Sequence, residues 1–268
     1  MGLQPSRSGG KCGLMRETIH LSAFLERIPG YPPRVMPTIV SSIIRFYQSS
    51  IGRKLAVAVT GLLLIGFLVV HMLGNFLLYA GPEALNAYAK KLHDLGPLLW
   101  VARLGLLGLA VVHVVGTIQL TRENRVARSQ KYAVDATRKA TKSSRTMILS
   151  GLTILAFIGY HLMHFTVCWG NDYGNPENKR YWLADGSKNV YNMVVDGFGF
   201  LPASAFYIVA MGLLFMHLSH GFASVFQTLG VTTPKSRPVI EGAGKLLALG
   251  LFLGNISMPL AVLLGFVK

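Results

Sequence analysis

Six of the eight histidines fall inside stretches too apolar to be loops: His71, His113, His161, His164, His217 and His220. An imidazole offers a nitrogen lone pair to a metal and changes its charge near neutral pH. At membrane depth such a side chain is costly, so each calls for a partner or a task. The first four apolar stretches carry at least one histidine and the fifth carries none. Two stretches hold H-x-x-H pairs, His161-Leu-Met-His164 and His217-Leu-Ser-His220. In each pair the first histidine lies nearer mid-membrane and is assigned as a ligand. A zinc site on either pair needs a third ligand close by, and the sequence offers none there.

The elements that position these residues are five apolar spans, about Leu55–Tyr79, Pro97–Leu120, Met147–Trp169, Pro202–Leu229 and Lys245–Val267. Each is near the roughly 20 residues a helix needs to cross a bilayer. A helix satisfies every backbone group internally, which lipid demands. The expected fold is therefore all-α, an integral membrane bundle of five transmembrane helices. A mean hydropathy of +0.46 with only 14% charged residues agrees with long apolar segments separated by polar loops.

The net charge of +15 raises nucleic-acid binding as a function, but the basic residues sit between the spans and form no patch interleaved with aromatics. They sort by side instead. With the N-terminus inside, inner segments hold nineteen Lys and Arg, against six in outer ones. Positive charge collects on the cytoplasmic side, so the expected topology is N-terminus in and C-terminus out.

Depth then sorts the histidines. His71 lies about 24 Å up from Leu55 and His161 about 21 Å up from Met147, at a rise of 1.5 Å per residue. The second and fourth spans run inward, placing His113 about 10 Å from Leu120 and His217 about 18 Å from Leu229. His71 and His161 thus share an outer level, and His113 and His217 a more inner one. Two opposed imidazole pairs at two depths are what two six-coordinate haems stacked across a membrane require. Glycines crowd the same stretches, among them Gly61, Gly66, Gly74, Gly105, Gly108, Gly116, Gly151, Gly159, Gly212 and Gly221. They give a flat macrocycle room, although small residues also serve ordinary helix packing in membranes.

The rest of the chain narrows the chemistry. Cys12 and Cys168 are far apart and no CxxC occurs, so iron–sulfur ligation and covalent haem attachment lack support. Neither GxGxxG nor GxxxxGK[ST] is present, which leaves the chain without a nucleotide or flavin module of its own. Residues 1–38 are rich in proline and glycine, lack the apolar run of a signal peptide, and read as an irregular extension. Within it Met15 and Met36 are alternative starts. The membrane domain is expected over 39–268, opening with a short amphipathic helix at Ile39–Tyr47 on the inner surface.

Several stretches resemble one known family. Ser49-Ser50-Ile51-Gly52-Arg53-Lys54 enters the first span and His71-Met72-Leu73-Gly74-Asn75 leaves it. Leu120, Asn124, Ala127-Arg128 and Tyr132 follow His113, and the run from His217-Leu218-Ser219-His220-Gly221 to Gly230 is the strongest match. Over about residues 40–268 the chain is similar to the five-helix, di-haem cytochrome b subunit of succinate dehydrogenases and fumarate reductases. That resemblance implies two haem b groups, the outer held by His71 and His161 and the inner by His113 and His217. It implies a flavoprotein and an iron–sulfur protein as partners on the inner face. A quinone, commonly menaquinone, is the redox substrate, and the location is the cell's inner (plasma) membrane. Electrons would pass between the iron–sulfur partner and the quinone, with dicarboxylate chemistry on another chain.

Other residues keep two readings. His164 and His220 are either interfacial polar groups or neighbours of a haem propionate or quinone. Arg103 either snorkels to the outer interface or pairs with an outer propionate. Asn124 and Arg128 either follow the basic topology or seat the iron–sulfur partner. Related fumarate reductases carry an acidic residue near the outer start of the second span. Here Lys90-Lys91-Leu92-His93-Asp94 departs from that pattern, and His93 with Asp94 is the outer quinone candidate, the inner end near Ser224 and Gln227 its competitor. The alternative function is a haem b, quinone-reactive subunit of another respiratory dehydrogenase or reductase. A transporter is disfavoured by the lack of broken helices with paired acidic residues.

Overall fold

The computed structural model describes residues 39–127 and 147–268. The expected extension 1–38, Cys12, Arg128 and Tyr132 lie outside the described residues. Those described are helical, with no β-strand among them.

A short amphipathic helix, α1 (Ile39–Gln48), precedes the first span, one residue longer than its periodicity predicts. Helix α2 (Ser50–Asn75) starts where the Ser49 hydroxyl accepts the Gly52 N–H at 3.0 Å, satisfying one of the free donors at the helix start. It tightens at its end into a 3₁₀ turn, Phe76–Ala80. Two proline-opened helices follow, α3 (Pro82–His93) and α4 (Pro97–Val126), each using proline where no N–H is needed. Helix α5 (Met147–His161) runs on into a π-helix, Leu162–Val167, which stops at Cys168 in the left-handed region with φ 57°. Helices α6 (Val190–Gly199), α7 (Leu201–Thr228) and α8 (Arg237–Leu263) complete the chain.

Among the described residues, five segments are long and apolar enough to cross a membrane: α2 with its 3₁₀ turn, α4, α5 with its π-helix, α7 and α8. Sequence and structure agree on their number and order. The fifth begins eight residues before its expected start at Lys245, with a proline-opened polar first turn in which Arg237 and Glu241 form an i,i+4 ion pair. The amphipathic α3 and α6 lie between spans, where hydropathy signals no element.

Neighbouring spans run antiparallel. Arg53 of α2 pairs with Glu123 of α4, and Tyr47 donates to Gln119 at 3.5 Å. The two helices thereby meet at the end where α2 begins, termed the near end here. Helix α8 packs along α7 over Ala210, Met211, Leu214, Leu218, Ala248 and Leu251, with Ile65 of α2 in the same cluster. Ala248 and Ala210 are almost fully enclosed, at 0% and 1% exposure. Lipid tails are as apolar as leucine, so close packing of small side chains, not escape from water, holds such helices together.

At the far end Leu78, Leu85, Tyr191, Phe198 and Met258 form a second cluster. The segment between α5 and α6 is braced by Arg180, which makes two 2.5 Å bonds to the Asp196 carboxylate, and by the Tyr181 hydroxyl at 2.8 Å. The Arg180 guanidinium holds the Asp196 carboxyl below the usual carboxylate range. Burial, with Tyr181 and Asp196 nearby, pushes the Tyr173 phenol up to about 12.

Candidate functional site

Near the far end of α2, His71 stacks on Phe67, one turn earlier, with ring centres 5.3 Å apart. Its other neighbour is His161, the last residue of α5, with ring centres 5.8 Å apart and planes at 90°. Two imidazoles on opposite sides of one metal atom stand about 6 Å apart centre to centre, given about 2 Å per metal–nitrogen bond. The structure therefore brings together the two histidines that depth had paired, at a separation that suits a shared iron.

His161 is held from behind. Its Nδ1 is 3.1 Å from the Tyr207 hydroxyl on α7, and Nδ1 of His164 is 3.3 Å from the same oxygen. Tyr207 is buried and wedged perpendicular to Phe157 and Phe198, at 4.9 and 5.1 Å between ring centres. The hydroxyl is thus fixed where the α-helix gives way to the π-helix, a local change that often marks a working position. Phe165 stacks on His164 at 4.0 Å.

The second pair follows one pattern twice. His113 on α4 has Nδ1 3.1 Å from the Val57 carbonyl and 3.3 Å from the Thr60 hydroxyl, both on α2. A carbonyl only accepts, so Nδ1 carries the proton and Nε2 keeps its lone pair. Thr60 donates its own proton to the Ala56 carbonyl at 2.7 Å, which leaves its oxygen as an acceptor. His217 on α7 has Nδ1 3.2 Å from the Ser150 hydroxyl on α5, and Ser150 donates to the Met147 carbonyl at 3.1 Å. A histidine that ligates through Nε2 and anchors Nδ1–H in this way has both its tautomer and its ring plane set.

Glycine makes the close approach of His113 possible. A Cβ on Gly61 would lie 2.9 Å from Cε1 of His113, and one on Gly151 would lie 3.4 Å from Cε1 of His217. Gly61 and His71 are ten residues apart on α2, and Gly151 and His161 are ten apart on α5. Each helix thus presents a glycine to one level and a histidine to the other, with the levels about 15 Å apart at 1.5 Å per residue. His71 and His161 at one level, and the tautomer-fixed His113 and His217 at the other, are the residues that would hold a haem at each level.

The remaining candidates lie elsewhere. Arg103 is exposed on α4, its guanidinium 5.1 Å from the Trp100 ring centre. His93 and Asp94 are exposed at the end of α3, where Asp94 pairs with Lys90 at 3.7 Å. Asn124 is exposed in the last turn of α4. His220 is half-buried on α7, with Nε2 3.2 Å from the Ser224 hydroxyl. Ser224, Gln227 and Thr228 line a cleft of about 500 Å³ with Ile51, Lys54 and Leu55 of α2.

Sequence reasoning missed Tyr207, Thr60 and Ser150. Hydroxyl side chains inside histidine-bearing spans were the available signal, since a buried imidazole N–H needs an acceptor. No family model, curated protein or solved structure matches the chain.

Proposed function

We propose that this chain is the membrane cytochrome b subunit of a succinate:quinone oxidoreductase, carrying electrons between an iron–sulfur partner and a quinone of the menaquinone type. The observation that carries the reading is the two-level arrangement: His71 opposite His161 at one level, His113 and His217 at the other, and a glycine on α2 and α5 ten residues before each helix's own histidine. Haem bound at each level supplies one-electron transfer.

The chain's own residues do the positioning. Val57 and Thr60 orient His113, Ser150 orients His217, and Tyr207 orients His161, each by fixing Nδ1 and presenting Nε2. The lack of a Cβ at Gly61 keeps space for the His113 ring. The excess of Lys and Arg at the near end makes that end cytoplasmic. It is there that the iron–sulfur protein, with its flavoprotein, docks.

Purification in mild detergent tests the reading. It expects two b-type haems per chain with bis-imidazole spectra, and co-purifying flavin and iron–sulfur subunits with succinate or fumarate activity. Haem present beside a hydrogenase or formate dehydrogenase partner would instead assign the chain to another respiratory oxidoreductase. A haem-free protein overturns both.

A further inference from the structure

Cys168 closes the π-helix that follows His161, at the far end of the bundle. Its side chain is enclosed with Tyr173 and Met193. Exposed Trp169 and Gly170 come next in the chain, so a water-sized reagent has a short way in. Three apolar spans separate Cys168 from Cys12, the only other cysteine in the sequence. An odd number of crossings puts the two on opposite faces of the membrane, which rules out a disulfide between them within one chain.

A different partner faces the sulfur. The turn over 182–188 is pinned by a bridge between Trp182 and Lys188, inside which the Leu183 N–H donates to the Ser187 carbonyl at 2.8 Å. Trp182 and Lys188 thus stand opposite each other. The Lys188 ammonium lies 5.4 Å from the centre of the Trp182 ring and donates to Cys168 Sγ at 3.6 Å. A half-buried ammonium ordinarily faces a carboxylate, yet among the described residues none lies within ion-pair distance of Lys188. The indole N–H of Trp182 is itself enclosed and has no acceptor. An enclosed donor without a partner calls for an explanation, and a group missing from its surroundings is one. The cluster therefore holds two donors, one of them charged, and a weakly accepting thiol where an anion or an oxygen would serve. Oxidation of that thiol supplies the oxygen.

We propose that Cys168 and Lys188 are a peroxide-reactive pair that closes into a covalent bridge. Hydrogen peroxide first converts the thiol to a sulfenic acid: the O–O bond breaks, an S–O bond forms and one water leaves. The Lys188 nitrogen then attacks sulfur. An S–N bond forms as the S–O bond breaks, and the departing hydroxyl becomes a second water. Of the two protons the ammonium gives up, one completes that water and the other goes to solvent. Sulfur ends oxidised by two electrons and peroxide reduced by two. A thiol reductant reopens the bridge by attack at sulfur. Closure ties the end of the histidine-bearing helix to the 182–188 turn, which Asn189 joins to Asn86 of α3 at 3.0 Å. The pair is independent of the haem-carrying reading.

Peptide mass spectrometry tests it on the purified full chain in detergent micelles, treated with hydrogen peroxide and then digested. The peptides containing residues 168 and 188 are expected to leave as one species, two hydrogens lighter than their sum, and to separate again in dithiothreitol. The same linked species with one oxygen more, an S–O–N bridge made by a second peroxide, supports the pair equally. Lys188→Arg keeps a cation beside the sulfur and should lose the link, leaving the sulfenic acid open to capture by dimedone. Cys168→Ser should lose both the link and the dimedone adduct. A wild-type Cys168 that is captured by dimedone or oxidised further while Lys188 stays unlinked overturns the proposal. So does a link from Cys168 to any other residue, a link that persists in Lys188→Arg, or a thiol that peroxide leaves untouched.

Discussion

The Tyr207 hydroxyl stands 3.1 Å from Nδ1 of His161, and one hydrogen-bonding scheme satisfies it and both histidines. If His161 ligates through Nε2, its Nδ1–H donates to the tyrosine oxygen, and the tyrosine proton goes to Nδ1 of His164. The donated bond makes His161 a more basic ligand. Tyr207→Phe should therefore keep the helix packing, raise the midpoint potential of the outer haem alone, and weaken its retention about tenfold. Redox titration of the two absorbance components checks this, since a purely structural role would leave the potential of the retained haem unmoved.

Gly61 and Gly151 make unequal predictions. Gly61→Ala places a methyl 2.9 Å from a ring locked to Val57 and Thr60, closer than such contacts tolerate. At Gly151 the same methyl would sit at 3.4 Å, an ordinary van der Waals distance. The first substitution should lose the inner haem and keep the outer, whereas the second should keep both. Haem-to-protein ratios in isolated membranes decide it.

Under the proposed reading, single replacements of the four histidines should separate into two groups. His71→Ala and His161→Ala are expected to lose the outer haem, and His113→Ala and His217→Ala the inner one. Removal of the same haem by changes at His113 and His161 would break the pairing. Spectra of those variants that still fold report the answer.

The far-end brace carries a pH signature. The Asp196 carboxyl is lowered from its usual 3.8, first by the Arg180 hydrogen bonds. A lowered carboxylate contributes stability that is fully present above its unfolded value and is lost as pH falls through its folded one. Hydrogen exchange across residues 180–196 should therefore show protection that is constant above pH 5 and declines only below 3.8. Asp196→Asn should lower protection at neutral pH as well. Arg180 is 56% exposed on its side chain, so solvent screening keeps the effect local.

Much of this was legible because lipid imposes long apolar runs and makes a buried histidine conspicuous. Span number, order and the His71–His161 pair follow from spacing alone. Helices α3 and α6 were not legible, since neither needs a lipid-length apolar run, although Pro82 followed by Glu83 is a helix-start signal. The π-helix after His161 left no mark in composition. Tyr207, Thr60 and Ser150 stayed hidden for another reason: a hydroxyl becomes an imidazole anchor only when two helices meet in a particular register. That register, 57 against 113 and 150 against 217, comes from packing and cannot be read from one helix at a time.

The ten-residue interval between Gly61 and His71, repeated between Gly151 and His161, has an electrical consequence. Under the proposed reading it separates two electron-holding positions by about half of a hydrocarbon layer roughly 30 Å thick. A full crossing of one charge is worth about 2.3 kcal/mol per 100 mV, so each electron stepping between the levels exchanges about 1 kcal/mol per 100 mV with the membrane voltage. The glycine-to-histidine spacing on each helix would thus make this bundle sensitive to the energised state of its membrane, assisting transfer in one direction and opposing it in the other.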